Sequence, residues 1–265
     1  MPGVPGIGIG RSNDIVWAFT TSRCDTSDLW LEQLNEEETH YLLDGEYREL
    51  EVITEHIRIK GQPDHILKIK QTHRGPVIPG QSLKKNSSLL FGGEAPALKY
   101  PGMYSFGWGG QFVGENTYNL MKKIYEYKDI PTLFKSIDSE EFDDYRGLGQ
   151  NTIFADTQGN IGYRLIMTIP ERKDKTPFIG SRVLDGTTSE FDWTGKIVPL
   201  RDLPKSLNPK KGFLQSSNGR QTSDHAVNDY GAASNSPPRT LRIDELLREG
   251  VSSGKKFTLA DMGAI

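Results

Sequence analysis

Cysteine is almost missing from this chain: Cys24 is the only one in 265 residues. A single thiol closes no internal disulfide and cannot build a zinc site, so neither framework holds the fold. Cys24 reads as a half-buried thiol at a strand end. Long apolar runs are also absent, and nothing approaches the roughly 20 residues of a membrane-spanning helix. Excess positive charge is lacking too, since 32 Lys and Arg stand against 35 Asp and Glu for a net charge of −3. The densest basic spots, Lys84-Lys85 and Lys210-Lys211, are short and sit in turn-rich sequence, which excludes a nucleic-acid footprint. The start, Met1-Pro2-Gly3-Val4-Pro5-Gly6, has no basic region leading into an apolar stretch, so it does not read as a secretion signal and assigns no compartment.

Generic site signals are equally sparse. Gly6, Gly8 and Gly10 fail the dinucleotide spacing because Arg11 and Asn13 stand where glycine is needed. His40, His56, His65, His73 and His225 show no metal-ligand spacing and no neighbouring nucleophile motif. Hydrophobic residues make up 35% and charged residues 25%. That is wetter than an ordinary compact domain, and fits either a piece of a larger fold or a loop-rich soluble protein.

What is present is mostly strand. Ile15-Val16-Trp17-Ala18-Phe19 is β-branched and aromatic, as a buried strand should be, and Leu29-Trp30-Leu31 follows. Asp44-Gly45 between two apolar runs predicts a tight hairpin. Residues 52–60 alternate, with Ile53, Ile57 and Ile59 on one side, and residues 66–70 repeat the pattern, predicting two half-exposed strands. Leu120, Ile124 and Tyr127 share a helical face; Asp129-Ile130-Pro131 then caps and opens a second, short helix. The acidic run 138–144 reads as a solvated end. Strands return at residues 151–156 and 161–169. Residues 170–211 read as a surface excursion, and residues 239–248 as a helix with Leu241, Ile243, Leu246 and Leu247 as its apolar face.

Two clusters carry chemistry. Asp25-Thr26-Ser27-Asp28 offers two carboxylates and backbone carbonyls to a hard cation, although by itself it reads as a solvated turn. Residues 208–218 run from a turn into a short apolar strand ending on Asn218, whose amide could donate to an oxyanion.

In order, Gly10-Arg11-Ser12-Asn13-Asp14-Ile15-Val16-Trp17-Ala18-Phe19-Thr20, Asp25 with Asp28-Leu29, Gly75-Pro76-Val77-Ile78, Phe154-Ala155-Asp156-Thr157-Gln158-Gly159-Asn160, Pro170-Glu171-Arg172, residues 208–218 and Arg239-Thr240-Leu241-Arg242-Ile243 resemble the penicillin acylase family of N-terminal nucleophile hydrolases. The resemblance implies an α+β fold, part of an αββα four-layer sandwich, with residues 1–265 as a single incomplete domain from the interior of the large subunit. It also implies an amidohydrolase acting on linear acyl amides, with a small subunit from the same precursor as partner. By position, Thr21 supplies a backbone N–H to the oxyanion hole, the Asn218 amide completes it and Arg239 shapes its electrostatics. Ile9 and Phe19 line the acyl pocket, and Asp25, Ser27 through its carbonyl, Asp28 and Asp229 hold one calcium ion.

Two departures accompany the resemblance. Arg74 stands where the family has histidine before Gly-Pro-Val, with His73 one step earlier. The family's Ser-Asn-x-Trp nucleophile motif does not occur in these 265 residues; Ser12-Asn13 is followed by Trp17, two places too far. The expectation is therefore a chain inactive by itself, with a non-catalytic binding or structural module as the rival. Residues 257–262 read as the opening of a further helix.

Overall fold

A computed structural model describes residues 7–22, 24–85, 102–111, 114–147, 149–176, 182–218 and 238–265. In chain order the elements are β1 (Gly10–Arg11), β2 (Ile15–Thr21), β3 (Ser27–Glu32), β4 (His40–Leu43), β5 (Glu46–Glu49), β6 (Glu51–Ile57), β7 (His65–Thr72), β8 (Gly75–Pro79), α1 (Gly80–Lys85), β9 (Met103–Trp108), α2 (Glu115–Glu126), α3 (Ile130–Ile137), β10 (Gln150–Asp156), β11 (Ile161–Ile166), β12 (Pro170–Arg172), β13 (Val183–Asp185), β14 (Trp193–Ile197), β15 (Lys205–Leu207), α4 (Pro238–Ser252) and α5 (Leu259–Ala264). The chain is α+β and divides into two compact units. The first comprises Met1–Cys24, Gly109–Ile169 and Lys196–Ile265; the second comprises Asp25–Trp108 and Pro170–Gly195.

The first unit is built on an antiparallel sheet in the order β1-β2-β10-β11-β15. Trp17 of β2 faces Phe154 of β10, which faces Gly162 of β11. Leu120 and Ile124 of α2 and Leu133, Phe134 and Ile137 of α3 join Trp17, Phe154 and Leu165 in one buried core. Gly162 makes that contact possible: a side-chain carbon there would lie 2.6 Å from the Phe134 ring. The Asp129 carboxylate accepts from Thr132 N at 2.8 Å and caps α3, with proline in the first turn, as the sequence predicts. Cys24 is half-buried against this core. The predicted terminal helix is α5, and Thr258 and Asp261 form its capping box.

The acidic run 138–144 is not simply solvated. Asp138 Oδ1 accepts from Arg164 Nη2 at 2.7 Å, and the Arg164 guanidinium is fully buried on β11. Burial works to raise the Asp138 carboxyl pKa, but hydrogen bonds from Arg164 and Lys205 outweigh it and hold it below the usual carboxylate range. A carboxylate with a lowered folded pKa stabilises above its unfolded value of 3.8, and that stability is lost as pH falls through the folded value. Acid unfolding of Asp138→Asn, followed by circular dichroism, is therefore expected to show a shallower dependence on pH below about 4 than the unsubstituted chain.

The second unit holds a sheet in the order β13-β3-β9-β8-β7-β6 and the hairpin β4–β5. Asp44 and Gly45 take φ of 52° and 85° at the predicted hairpin turn, the left-handed pair that a tight two-residue turn requires. Strands β6 and β7 pair over seven residues, from Glu51↔Gln71 to Ile57↔His65, but they are more exposed than the alternation suggests. Only Gln71 and Thr72 of β7 reach β8, so most of the ribbon projects past its neighbour and leaves Ile57 and Ile66 uncovered.

Arg74, the departure from the family pattern, lies at the centre of this unit. Its side chain is 2% exposed. Nε donates to Asp192 Oδ1 at 2.7 Å, Nη1 to Glu32 Oε1 at 3.0 Å and to Gly186 O at 2.8 Å, and Nη2 to Thr188 O at 2.9 Å. Its carbon end lies over the Trp30 ring. Glu32 also accepts from the Ser105 hydroxyl, and His73 bridges Asp192 and the Tyr41 hydroxyl at 3.1 and 3.0 Å.

Two other expectations change. Residues 170–211 are not a plain surface excursion, because they contain β12 to β15 and bury Leu184, Leu200 and Leu203. In α4 the buried members are Thr240, Leu247 and Gly250, while Leu241 is 63% exposed. The Phe257 ring packs against Gly250 on the buried face, and Leu241 lies off that face.

Candidate functional site

Three of the residues singled out by position meet in the first unit. Thr21 ends β2, Asn218 lies in the irregular stretch after β15, where the expected apolar strand does not form, and Arg239 is in the first turn of α4. Asn218 Nδ2 donates to the Thr21 carbonyl at 2.9 Å across 197 positions of sequence. Arg239 Nη2 donates to Asn218 Oδ1. The two bonds fix which end of the amide is which. They leave the second N–H of Nδ2 without an acceptor among the described residues. Asn218 adopts φ of 63°, a left-handed conformation that asparagine tolerates better than other side chains bearing a Cβ.

The neighbours of Asn218 are held with it. Ser216 Oγ pairs with Thr20 Oγ1, and Ser217 Oγ with Thr240 Oγ1 at 2.6 Å. Three consecutive residues are therefore stitched in turn to β2, to α4 and to both. Asn151 of β10 also points Nδ2 at the Thr21 carbonyl, at 3.4 Å, while its Oδ1 accepts from Tyr163 at 2.9 Å. Sequence reading missed Ser217, Thr240 and Asn151; the adjacency of Thr240 to Arg239 and of Ser217 to Asn218 is the one local signal. Strand β1 pairs only with Val16 and Trp17, so β2 has no ladder partner on that edge from Ala18 to Thr21 among the described residues.

Of the two positions expected to line an acyl pocket, Phe19 is half-buried against the core and Ile9 is 68% exposed. The backbone before β1 runs close to Phe19, since a side-chain carbon at Gly8 would lie 3.6 Å from its ring. Trp17 Nε1 donates to Ile7 O at 2.8 Å and anchors this segment.

The acidic cluster lies in the second unit and is not a solvated turn. Asp28 sits on β3 with 2% exposure, and Ser27 begins that strand. Arg172 of β12 spans the pair: Nε donates to Asp28 Oδ2 at 2.7 Å and Nη2 to Asp25 Oδ1 at 2.9 Å. Trp193 Nε1 donates to Asp28 Oδ2 as well. Burial works to lower the Arg172 pKa, but the two carboxylates outweigh it and hold the group above the ordinary arginine value. Asp28 Oδ1 is buried with no hydrogen-bond partner among the described residues. Asp229 lies outside the described residues, and among those described no group of three or more His, Cys, Asp or Glu could hold a metal. Calcium takes roughly six to eight oxygen ligands. The open Asp28 oxygen suits a hard cation, whereas the guanidinium already on the pair opposes one.

A family model described as penicillin amidase matches residues 1–265. Acyl-homoserine lactone acylase QuiP of Pseudomonas aeruginosa is 28% identical over 252 residues, covering 92% of this chain and 27% of that protein. Penicillin acylase 2 proenzyme of a Pseudomonas species is 24% identical and is matched over 100% of this chain and 31% of its own length. Penicillin G acylase of Escherichia coli is 23% identical, covering 92% of this chain and 26% of that protein. The chain thus spans between a quarter and a third of these relatives. Among solved structures, a thermostable penicillin G acylase from Alcaligenes faecalis superposes with a TM-score of 0.62 at 21% identity, over 84% of this chain and 36% of that one.

Proposed function

The chain belongs to the penicillin amidase family, and on that premise we propose that Thr21, Asn218 and Arg239 form the oxyanion-stabilising part of a site that hydrolyses acyl amides. The observation that carries this reading is the orientation of the Asn218 amide, held by Thr21 O on one N–H and by Arg239 on Oδ1. When a nucleophile attacks an amide carbonyl, the carbonyl oxygen gains negative charge. A donor already aimed at that oxygen stabilises the transition state without reorganising. The charged bond from Arg239 draws electron density toward Oδ1 and strengthens the remaining N–H as a donor. The backbone N–H of Thr21 is the second donor in this proposal, so the identity of its side chain matters little. Ile9 and Phe19 would face the acyl group, which favours apolar acyl chains.

In this proposal the nucleophile is not among these 265 residues, in which Ser-Asn-x-Trp does not occur. A serine at a chain start, exposed by cleavage of a precursor, would attack with its own α-amino group as base, a group that titrates near neutrality. The small subunit of the same precursor is the proposed partner; a relative described as a proenzyme supports it.

One calcium ion is proposed at Asp25, the Ser27 carbonyl and Asp28, where it would be held electrostatically and would brace the second unit. It takes part in no step of the reaction. The support is the buried Asp28 Oδ1, which has no hydrogen-bond partner among the described residues.

Expression of the whole open reading frame is expected to give hydrolysis of a chromogenic phenylacetyl or fatty-acyl anilide, and the 265-residue chain alone none. Turnover by the chain alone would refute the placement of the nucleophile. No turnover by the whole product would favour the binding or structural module.

A further inference from the structure

The Thr21 carbonyl receives two side-chain amides. Asn218 Nδ2 donates at 2.9 Å, and Asn151 Nδ2 reaches the same oxygen at 3.4 Å. A carbonyl oxygen has two lone pairs and can accept both. Each amide is oriented in the same way, by a donor on its Oδ1: Arg239 holds Asn218, and the Tyr163 hydroxyl holds Asn151 at 2.9 Å. Burial, with a smaller part from Cys24, pushes the Tyr163 phenol far above its ordinary value. Its hydroxyl therefore stays a donor, and Nδ2 is the end of Asn151 left for Thr21. The two amides differ in their footing. Asn218 lies in an irregular stretch with a left-handed backbone. Asn151 is 4% exposed on β10, between β2 and β11 and directly opposite Thr20. Tyr163 is equally buried one diagonal step away, since Asn151 pairs with Leu165 and Tyr163 with Ile153. Asn151 is thus the rigid member of the two. Its bond to Thr21 is at the long end for N–H···O, so it limits where the carbonyl can point more than it adds strength.

We propose that Asn151, locked by Tyr163, is a positioning residue of the oxyanion hole: it fixes the direction of the Thr21 carbonyl and, through that carbonyl, the aim of the second N–H of Asn218 Nδ2. This role rests on the oxyanion reading above. A side chain on a strand, with its own rotamer held by a buried partner, sets such an aim more closely than a loop residue can. Asn151 and Tyr163 act only through Thr21 and Asn218, so their effect falls on kcat rather than on substrate binding.

The test is steady-state kinetics on an acyl anilide with the product of the whole open reading frame. The variants are Asn151→Leu, Tyr163→Phe, Asn218→Gly, and each of the first two combined with Asn218→Gly. Asn151→Leu removes the amide at similar volume, and Tyr163→Phe removes one hydroxyl and leaves the amide free to turn. Each is expected to lower kcat by about fivefold to tenfold with KM nearly unchanged. Beside Asn218→Gly both losses should vanish, because no amide is left to aim. Thermal midpoints should fall in both variants, since each leaves a buried polar partner unpaired, and that fall should persist beside Asn218→Gly. The two readouts therefore separate positioning from stability. Losses of kcat that keep their full size beside Asn218→Gly overturn the positioning role, as does an unchanged kcat in Tyr163→Phe; both leave the oxyanion reading standing. If Asn151→Leu does not fold, Tyr163→Phe decides by the same two criteria. Near-normal kcat in Asn218→Gly, or no turnover by the whole product, overturns the oxyanion reading and this proposal with it.

Discussion

Asn218→Ala in the product of the whole open reading frame is expected to lower kcat on an acyl anilide by about a hundredfold to a thousandfold, the usual loss when one oxyanion donor is removed. KM should change little, because the hydrogen bond to the developing oxyanion is made mainly in the transition state. Alanine also meets the left-handed backbone at this position, φ of 63°, at a cost of roughly 1–2 kcal/mol. Asn218→Gly separates the two effects, since glycine accepts that conformation and still lacks the amide. Equal losses in both variants would assign the effect to the amide. Near-normal kcat in Asn218→Gly would remove Asn218 from the oxyanion hole. Arg239→Met keeps the amide but frees its orientation, and a smaller loss of kcat, about tenfold, is expected.

The largest effect on stability is expected at Arg74. Its guanidinium satisfies Glu32, Asp192 and two backbone carbonyls in a buried setting, and Arg74→Met would strip all of them at once. Breaking a buried ion pair from one side typically costs about 3–5 kcal/mol, mostly from the charge left behind. Denaturant unfolding of the second unit, followed by tryptophan fluorescence, should show a loss of that order. A change below about 1 kcal/mol would mean that water or rearrangement replaces the guanidinium.

The pH dependence of that loss has a definite sign. Burial already raises the Glu32 carboxyl pKa above its ordinary value of 4.5, although the Ser105 hydroxyl and Arg74 oppose the shift. Loss of Arg74 raises it further. A carboxyl raised in the folded state stabilises below its unfolded value and loses that contribution as pH rises through the folded value. Arg74→Met should therefore be less destabilising near pH 5 than near pH 8. The double variant Arg74→Met with Glu32→Gln should recover part of the loss at the higher pH, since it removes one of the stranded charges.

Much of the local architecture was legible in the sequence. Ile15-Val16-Trp17 formed the expected strand, Asp44-Gly45 the expected hairpin turn, and Asp129 with Pro131 the expected helix start. The ordered motif blocks pointed to the family that the whole-chain match bears out. Thr21, Asn218 and Arg239 were named from their positions within those blocks, and the structure brings them together. The misreadings share a cause. Leu241 was counted with the apolar face of α4 by its character, but the face that turns inward carries Thr240, Leu247 and Gly250 and leaves Leu241 out. Asp25 and Asp28 looked solvated because two acids beside a Ser-Thr turn usually are.

The sequence by itself determined periodicity, turns, caps and kinship, because each depends on residues adjacent in the chain or on the order of whole blocks. Only the tertiary structure decided that Arg172 pairs with Asp28 from 144 positions away, that Arg74 joins Glu32 to Asp192, and that Ser217 pairs with Thr240 beside Asn218. The value of a charge or a hydroxyl is set by whether water or a distant partner surrounds it, and that is known only when the chain has folded.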